Sequence, residues 1–160
     1  MANITHGIDP TRVDTTVQFT LGVEADDPRQ TFPGNRIRYV KANASGVTLG
    51  VAVRLDTAAT DEPGSVIPTT NTAVGGIVHG IAHVAIPNGS FGWITVHGKV
   101  DNAVVPDAAT AGTQLGGGAA GALIDISTSP TAALATTAAS GRGVHLLQDT
   151  GTALGTVWIE

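Results

Sequence analysis

The chain has 160 residues, enough for one domain that buries its own core without a disulfide or a metal. Only 13% of the residues are charged and the formal net charge is −5, which argues against a nucleic-acid partner, because binding phosphates needs clustered Lys and Arg. The sequence has no cysteine, which excludes disulfides, thiol catalysis and thiolate metal sites.

The composition favours many short strands over helices. Hydrophobic residues make up 42% of the chain, yet only three Phe, two Trp and one Tyr are among them, so the core is largely aliphatic. β-Branched residues fit the pleated surface of a sheet, and the 21 Gly and eight Pro mark turns. Pro and Gly interrupt the uncharged stretch 63–98, and the first residues lack the features of a signal peptide, so we expect no membrane partner.

The N-terminal residues predict an extended arm over 1–11, followed by a single β-rich domain over 12–160. The segment 13–21 is the clearest predicted strand, because apolar and polar residues alternate along it. The segment 24–35 contains two prolines and a glycine and predicts a loop.

Two strands are predicted next, at 36–42 and 47–55, joined by the turn 43–46. The polar, proline-containing segment 57–72 predicts an exposed loop.

A β-hairpin is predicted around Asn88-Gly89, because this dipeptide between two apolar runs is the strongest short-range hairpin signal. The two strands of the hairpin are 74–86 and 91–100. The predicted facing pairs are Ile86 with Phe91, Val84 with Trp93, and Ala82 with Thr95. The opposite face then carries His79, Ile81 and His83.

Short strands are predicted after residue 104, at 114–115, 122–126, 144–147 and 154–159, with one short helix at 129–141. The predicted fold class is therefore all-β. It is a small β-sandwich or β-barrel of short antiparallel strands, with the extended N-terminal arm and at most one short helix.

Two motifs suggest chemistry, and both have a simpler interpretation. Residues 116–121 match G-x-G-x-x-G, but the segment that follows predicts a strand, whereas a dinucleotide site needs a helix there. His79 and His83 have the spacing of a helical zinc site, but on a strand they lie about 13 Å apart, too far to share a metal. We interpret them as partly buried histidines bonded to backbone or water, with a metal on an oligomer axis as the alternative. We expect no enzyme, no catalytic residue, no cofactor and no metal.

Two segments are candidate sites for binding a partner. Arg36 and Arg38 share a face of their predicted strand and are suited to an acidic partner, although a solvated edge strand is the alternative. The arm suits strand addition to a partner, and a terminus without function is its alternative. The arm residues in question are Ala2, Asn3, Ile4, Thr5, His6 and Gly7. The low charge and the apolar content of both hairpin faces predict a homo-oligomer, most simply a homotrimer.

The second half of the sequence resembles the head decoration, or capsid cement, proteins of tailed bacteriophages. The resemblance is carried by VAIPNGSFGWITVHGKV at 84–100, AGTQL at 111–115, GAL at 121–123 and GTVWIE at 155–160. These match an aromatic-Gly-Trp strand that ends in Gly, then a-G-t-x-L, then a short strand and a hydrophobic C-terminal strand. The likeness covers about residues 74–160.

The resemblance implies a structural virion protein. Decoration proteins of this kind are small, β-rich and often trimeric, and they lie on the outside of the expanded capsid, where they bridge neighbouring capsomers. The expected partners are the major capsid protein and other copies of the chain, and the expected location is the capsid exterior of the virion after synthesis in the host cytoplasm. A phage tail or fibre component is the first alternative. A carbohydrate-binding β-sandwich, which would expose aromatic rings to sugars, is the second.

Overall fold

The computed structural model describes residues 8–29, 34–43, 45–56, 58, 64–68, 78–106, 110–126, 143–149 and 154–160. Within these ranges the fold is all-β, as predicted, with one 3₁₀ turn at Ala119–Gly121. The strands are β1 (Glu24–Asp26), β2 (Arg36–Ala42), β3 (Ala52–Leu55), β4 (Ser65–Pro68), β5 (Gly80–Ala82), β6 (Phe91–Val104), β7 (Gln114–Gly117), β8 (Leu123–Asp125), β9 (Val144–Asp149) and β10 (Leu154–Ile159).

Five strands close into a small barrel. The hydrogen-bonded order β6-β2-β4-β3-β5 returns to β6, and every pair is antiparallel except β2 with β4. The interior is filled by small aliphatic side chains, which suit a narrow barrel. They include Val40, Ala42, Val53, Val66, Ala82, Ile94 and Val96. Gly92 makes room for Ile86, whose Cδ1 lies 2.9 Å from where a Cβ at position 92 would stand.

A second sheet grows from the far half of β6, in the order β6-β10-β9-β7-β8. Its inner face packs against the outside of β3 and β5, and a second apolar core lies between them. This core includes Ala52, Ile81, Val100, Leu115, Leu146, Val157 and Ile159. The strand β6 therefore belongs to both the barrel and the second sheet.

The side chain of Asn35 marks the point where β6 leaves β2. Its Oδ1 accepts a hydrogen bond from the backbone N–H of Lys99 at 2.9 Å, and its Nδ2 donates to the Lys99 carbonyl at 2.6 Å. Gly98 has a φ of 99° and lies so close to Asn35 that a Cβ there would collide with the amide. Asn35 thus replaces the strand partner that β6 loses beyond the pair Arg36–His97.

A third core consists of aromatic rings outside the barrel. Tyr39 and Trp93 face each other across β2 and β6, with ring centroids 5.1 Å apart. Phe19 packs edge-on against both rings, and Phe91 stacks beside Tyr39 at 6.2 Å. Edge-on and offset arrangements of this kind are favourable beyond the burial of their area.

The predicted strand at 13–21 is wrong. Only Asp14 forms a β-bridge, to Phe91, and the rest of the segment is an irregular cover over the aromatic core. A strand would have turned Val17 inward and Asp14 outward, but Val17 is 56% exposed and Asp14 is 5% exposed. The carboxylate of Asp14 is turned inward because it accepts a hydrogen bond from the Tyr39 hydroxyl at 3.0 Å.

Three predicted boundaries also differ from the structure. The predicted loop 24–35 contains β1, which pairs with β2, and the predicted loop 57–72 contains β4. The predicted strand 47–55 is shortened to β3, because 49–50 form a turn and Val47 makes only a bridge to Ile86.

The predicted hairpin has the right turn but the wrong register. The Ser90 N–H donates to the Pro87 carbonyl at 3.0 Å, which confirms a turn at 87–90. Only Gly89 of its two central residues has a positive φ, whereas the type I′ turn of a tight hairpin needs both. The preceding chain therefore diverges from β6, and the pairs that form are Ile81–Thr95 and Ala82–Ile94, one residue away from the predicted register.

Other predicted elements are confirmed. The strands at 36–42 and 154–159 have the predicted bounds, and strands occur near 114–115, 122–126 and 144–147. After G-x-G-x-x-G at 116–121 the chain enters β8, as expected for a turn. The strand β6 extends to Val104, four residues beyond the predicted end. The predicted helix at 129–141 lies outside the described residues.

The burial of Trp93 gives the first prediction. Its ring is 2% exposed and contacts Tyr39 and Phe19. Trp93→Ala should lower the free energy of unfolding by roughly 3–5 kcal/mol, because it opens a cavity that no neighbouring aromatic ring can fill. Chemical denaturation measures the change, with Val17→Ala as the exposed control, for which a change within about 0.5 kcal/mol is expected. A change under about 1 kcal/mol for Trp93→Ala would contradict the packing described here.

Candidate functional site

The described part of the predicted arm is packed on the domain. Ile8 is 7% exposed and belongs to the aromatic core, and Pro10 is buried. We call residues 8–14 the anchor segment, because side-chain and backbone contacts join it to β6 and its surroundings. Ala2, Asn3, Ile4, Thr5, His6 and Gly7 lie outside the described residues, so their role in binding stays a prediction.

Asp14 forms the far end of the anchor segment. Its backbone N–H and carbonyl exchange hydrogen bonds with Phe91 at 2.9 and 2.8 Å, and its carboxylate pairs with Arg12 at 2.6 Å. The Tyr39 hydroxyl donates to the same carboxylate, and burial raises the pKa of Tyr39 to about 12. Tyr39 therefore keeps its proton and remains a donor to Asp14 throughout the physiological pH range.

His83 holds the other end of the anchor segment. Its Nε2 lies 2.7 Å from the Pro10 carbonyl, and its Nδ1 lies 3.2 Å from Thr95 Oγ1. In the neutral tautomer that satisfies both contacts, Nε2–H donates to Pro10 and the Thr95 hydroxyl donates to Nδ1. This geometry agrees with the interpretation of His83 from the sequence, as a partly buried histidine bonded to backbone.

Burial lowers the pKa of His83 below its usual value, and the nearby Arg29 charge lowers it further. The hydrogen bond to Pro10 and the Asp27 carboxylate act in the opposite direction, but with smaller effect than burial. The folded protein therefore holds His83 neutral at pH 7.

Arg36 and Arg38 share a face, as predicted, and both are paired with one acid. Glu24 on β1 accepts from Arg36 Nη2 at 2.9 Å and from Arg38 Nε at 3.1 Å. The sequence placed Glu24 in a loop and gave no sign of this pairing. Two guanidinium groups share the Glu24 carboxylate, and Asp26 lies opposite Arg36 in the same pair of strands.

The outer face of the second sheet exposes two leucines on β9 and β10, next to the charged pair Lys99–Asp101 on β6. Leu147 is 47% exposed and Leu154 is 42% exposed, while the half-buried Trp158 lies two strand positions beyond Thr156 on the same side. His145 is paired with Trp158 across β9 and β10. We call Leu147, Leu154, Trp158 and His145 the outer face.

Two side-chain contacts lie at the border of the outer face. The His97 ring packs edge-on against the indole, with centroids 5.7 Å apart. His145 Nε2 lies 3.5 Å from Glu160 Oε1 at the end of β10. Trp93 is buried and cannot stack on a sugar, so Trp158 is the Trp ring left partly accessible to a partner.

Sequence reasoning missed most of these contacts. It treated Asp14 as a surface residue and did not single out Leu147 or Leu154. The alternation of Leu154, Thr156 and Trp158 along the C-terminal strand was the available signal for the outer face.

In the ranges that the structure describes, no three His, Asp or Glu side chains are grouped to hold a metal ion. Nor does any helix in those ranges have the length and apolar character to cross a membrane. No family model matches the chain, and no curated protein matches it in sequence.

The buried neutral His83 predicts a pH dependence of stability. In the unfolded chain the His83 side chain has its ordinary pKa of about 6.5, and in the folded protein the pKa is lower. As the pH falls below 6.5, His83 binds a proton in the unfolded chain but not in the folded one. The free energy of unfolding therefore falls until the pH reaches the pKa of His83 in the folded protein.

Urea denaturation between about pH 7.5 and about pH 5 measures this effect in the natural chain and in His83→Gln. Every other titrating group is common to both proteins, so the difference between the two slopes isolates His83. The natural chain should lose stability more steeply. Equal slopes would mean that His83 is protonated as easily in the folded state as in the unfolded one.

Proposed function

We propose that the chain is a structural virion protein that binds the outer surface of a tailed-phage capsid between capsomers and stabilises the shell. It acts as a homo-oligomer, most simply a trimer, and its shell partner is the major capsid protein. It is made in the host cytoplasm and functions on the exterior of the head. The resemblance of residues 74–160 to decoration proteins and the small all-β fold support this assignment.

The single observation that carries the proposal is the outer face. On this sheet face nearly half of Leu147 and of Leu154 is exposed, and Trp158 is partly exposed on the same strand as Leu154. Large apolar side chains exposed on one face of a sheet favour a contact with another protein. Complete burial of a Leu side chain stabilises by about 1.5–3 kcal/mol. Covering the exposed half of each leucine would therefore stabilise the oligomer once in every copy.

The anchor segment supports an arm that reaches a partner. Its bonds to His83 and Phe91 fix the position of Ile8, which is the point where residues 1–7 join the domain. An extended segment attached at a fixed point is suited to adding a strand to a neighbouring sheet, where main-chain hydrogen bonds supply the affinity. We assign this role to Ala2–Gly7.

Arg36 and Arg38 supply a charged contact in the same proposal. Glu24 binds both guanidinium groups and orients them, and the Arg36 side chain is still 43% exposed. An acidic group of the shell protein is the matching partner, because a guanidinium can bind a second carboxylate through its remaining N–H groups.

The oligomer is tested by charging the outer face. Leu154→Glu should convert the natural oligomer to a monomer at micromolar concentration, because a carboxylate at the interface would lose its hydration. Sedimentation or light scattering gives the mass, and circular dichroism confirms the fold. Val17→Glu is the matched control, since Val17 is also exposed, at 56% against 42% for Leu154, but lies in the segment over the aromatic core and should leave the oligomer intact. A natural chain that is monomeric at high micromolar concentration would contradict a self-assembled trimer.

The arm is tested by removing residues 2–7 and keeping Ile8, whose side chain belongs to the aromatic core. The shortened protein should fold and oligomerise normally but fail to bind phage heads that lack the natural protein, as judged by co-sedimentation and negative-stain microscopy. A second variant, with residues 2–7 replaced by an equally long Gly-Ser stretch, separates sequence from length. Undiminished head binding by both variants would show that the arm is not needed for binding to the head. Binding to tails instead of heads would favour a tail component.

A further inference from the structure

A polar cavity of about 220 Å³ opens where the loop after β1, the residue after β5 and the middle of β6 meet. Its polar lining comes from Arg29, His83, Thr95, Lys99, Asp101 and Asn102. The cavity is smaller than the roughly 300–1,000 Å³ of pockets that hold drug-sized ligands, so a single small group is the occupant that fits.

Arg29 is held rigidly at the cavity by a buried acid. The Asp27 side chain is fully buried, and its two oxygens accept from Arg29 Nε at 3.2 Å and Nη2 at 3.1 Å. Asp27 Oδ1 also accepts from the Arg29 backbone N–H at 3.0 Å. This pairing uses one edge of the guanidinium fork and leaves the Nη1 side for another acceptor with a planar pair of oxygens.

Lys99 brings the second cation to the cavity, and its backbone is equally fixed. Asn35 binds both the N–H and the carbonyl of Lys99, next to the positive-φ residue Gly98. The ammonium lies 3.1 Å from Asp101 Oδ1, and Asp101 is in turn bonded to Thr156 at 3.0 Å. The lining therefore carries two cations and one carboxylate, with the carboxylate on the exposed side.

His83 and Asn102 complete the lining in fixed positions. The His83 ring is fixed between Thr95 and the Pro10 carbonyl, so it forms an inner wall that does not rotate. The Asn102 backbone has a φ of 60°, a conformation that bends β6 at this point. Rigid placement of charged donors reduces the ordering cost of binding an anion.

We propose that this cavity binds one small oxyanion, a carboxylate or a phosphate, between the free side of the Arg29 fork and the Lys99 ammonium. Planar forks bind carboxylates and phosphates through two parallel hydrogen bonds, and an ammonium adds a point charge. Asp101 competes with the anion for Lys99 and sets the affinity. The site would exist whether or not the chain decorates a capsid.

The experiment uses inorganic phosphate and, separately, acetate as probes, each at constant ionic strength. Nuclear magnetic resonance follows the His83 ring, which lies in the cavity wall. The natural chain should give a saturable shift with at least one of the two anions. A response to phosphate alone identifies a phosphate site, and a response to acetate alone identifies a carboxylate site.

Three substitutions test the site: two should weaken anion binding and one should strengthen it. Lys99→Gln should weaken the affinity for the bound anion roughly tenfold, because it removes one charge-assisted contact. Asp101→Asn keeps the oxygen that binds Thr156 and removes the competing charge, so it should strengthen binding severalfold. Arg29→Lys keeps a cation beside Asp27 but loses the fork, and it should weaken binding.

Lys41→Gln is the matched control. Lys41 lies over the Phe91 ring, 5.8 Å from its centroid, and does not line the cavity. Its loss removes the same charge from the molecule and should leave the affinity unchanged. The proposal is overturned if neither anion gives a saturable shift, or if Lys99→Gln and Lys41→Gln reduce the affinity equally.

Discussion

The strand β6 contributes side chains to all three cores and so ties their packing together. Ile94 and Val96 point into the barrel, while Trp93 points out to the aromatic core. Beyond Gly98, Val100 packs in the core beneath the second sheet. Successive side chains of a strand point to opposite faces, so β6 contributes side chains to the layers packed on both of its faces. The barrel and its two outer layers therefore stabilise one another through a single segment of backbone.

The change of partners along β6 also shapes the surfaces that are available for binding. Asn35 ends the pairing with β2, and from that point β10 takes over as the neighbour of β6. The transfer places Lys99 opposite Trp158, between the polar cavity and the outer face. The outer face and the charged cavity therefore adjoin at the position where β6 changes its strand partner.

The sequence located few of the residues that form these surfaces. Arg36 and Arg38 could be placed on one face because their strand is regular, but the acid that binds them comes from β1, which the sequence did not reveal. The anchoring bonds join residues that are remote along the chain. Tyr39 and Asp14 are 25 residues apart, Asn35 and Lys99 are 64 apart, and His83 and Pro10 are 73 apart. Such pairs leave no local pattern, because neither partner is constrained by its neighbours in sequence.

Local patterns in the sequence were enough to predict the all-β class, the bounds of the strands at 36–42 and 154–159 and the turn at 87–90. These depend on local preferences: β-branched residues favour extended backbone, and Asn-Gly favours a turn. The register of β5 against β6 and the irregular course of 13–21 depend instead on contacts between distant segments. Ile86 pairs with Val47 rather than with β6, and Asp14 turns inward to meet Tyr39. Alternating polarity shows that a segment has an apolar side, but what covers that side is settled by packing between segments far apart in the chain.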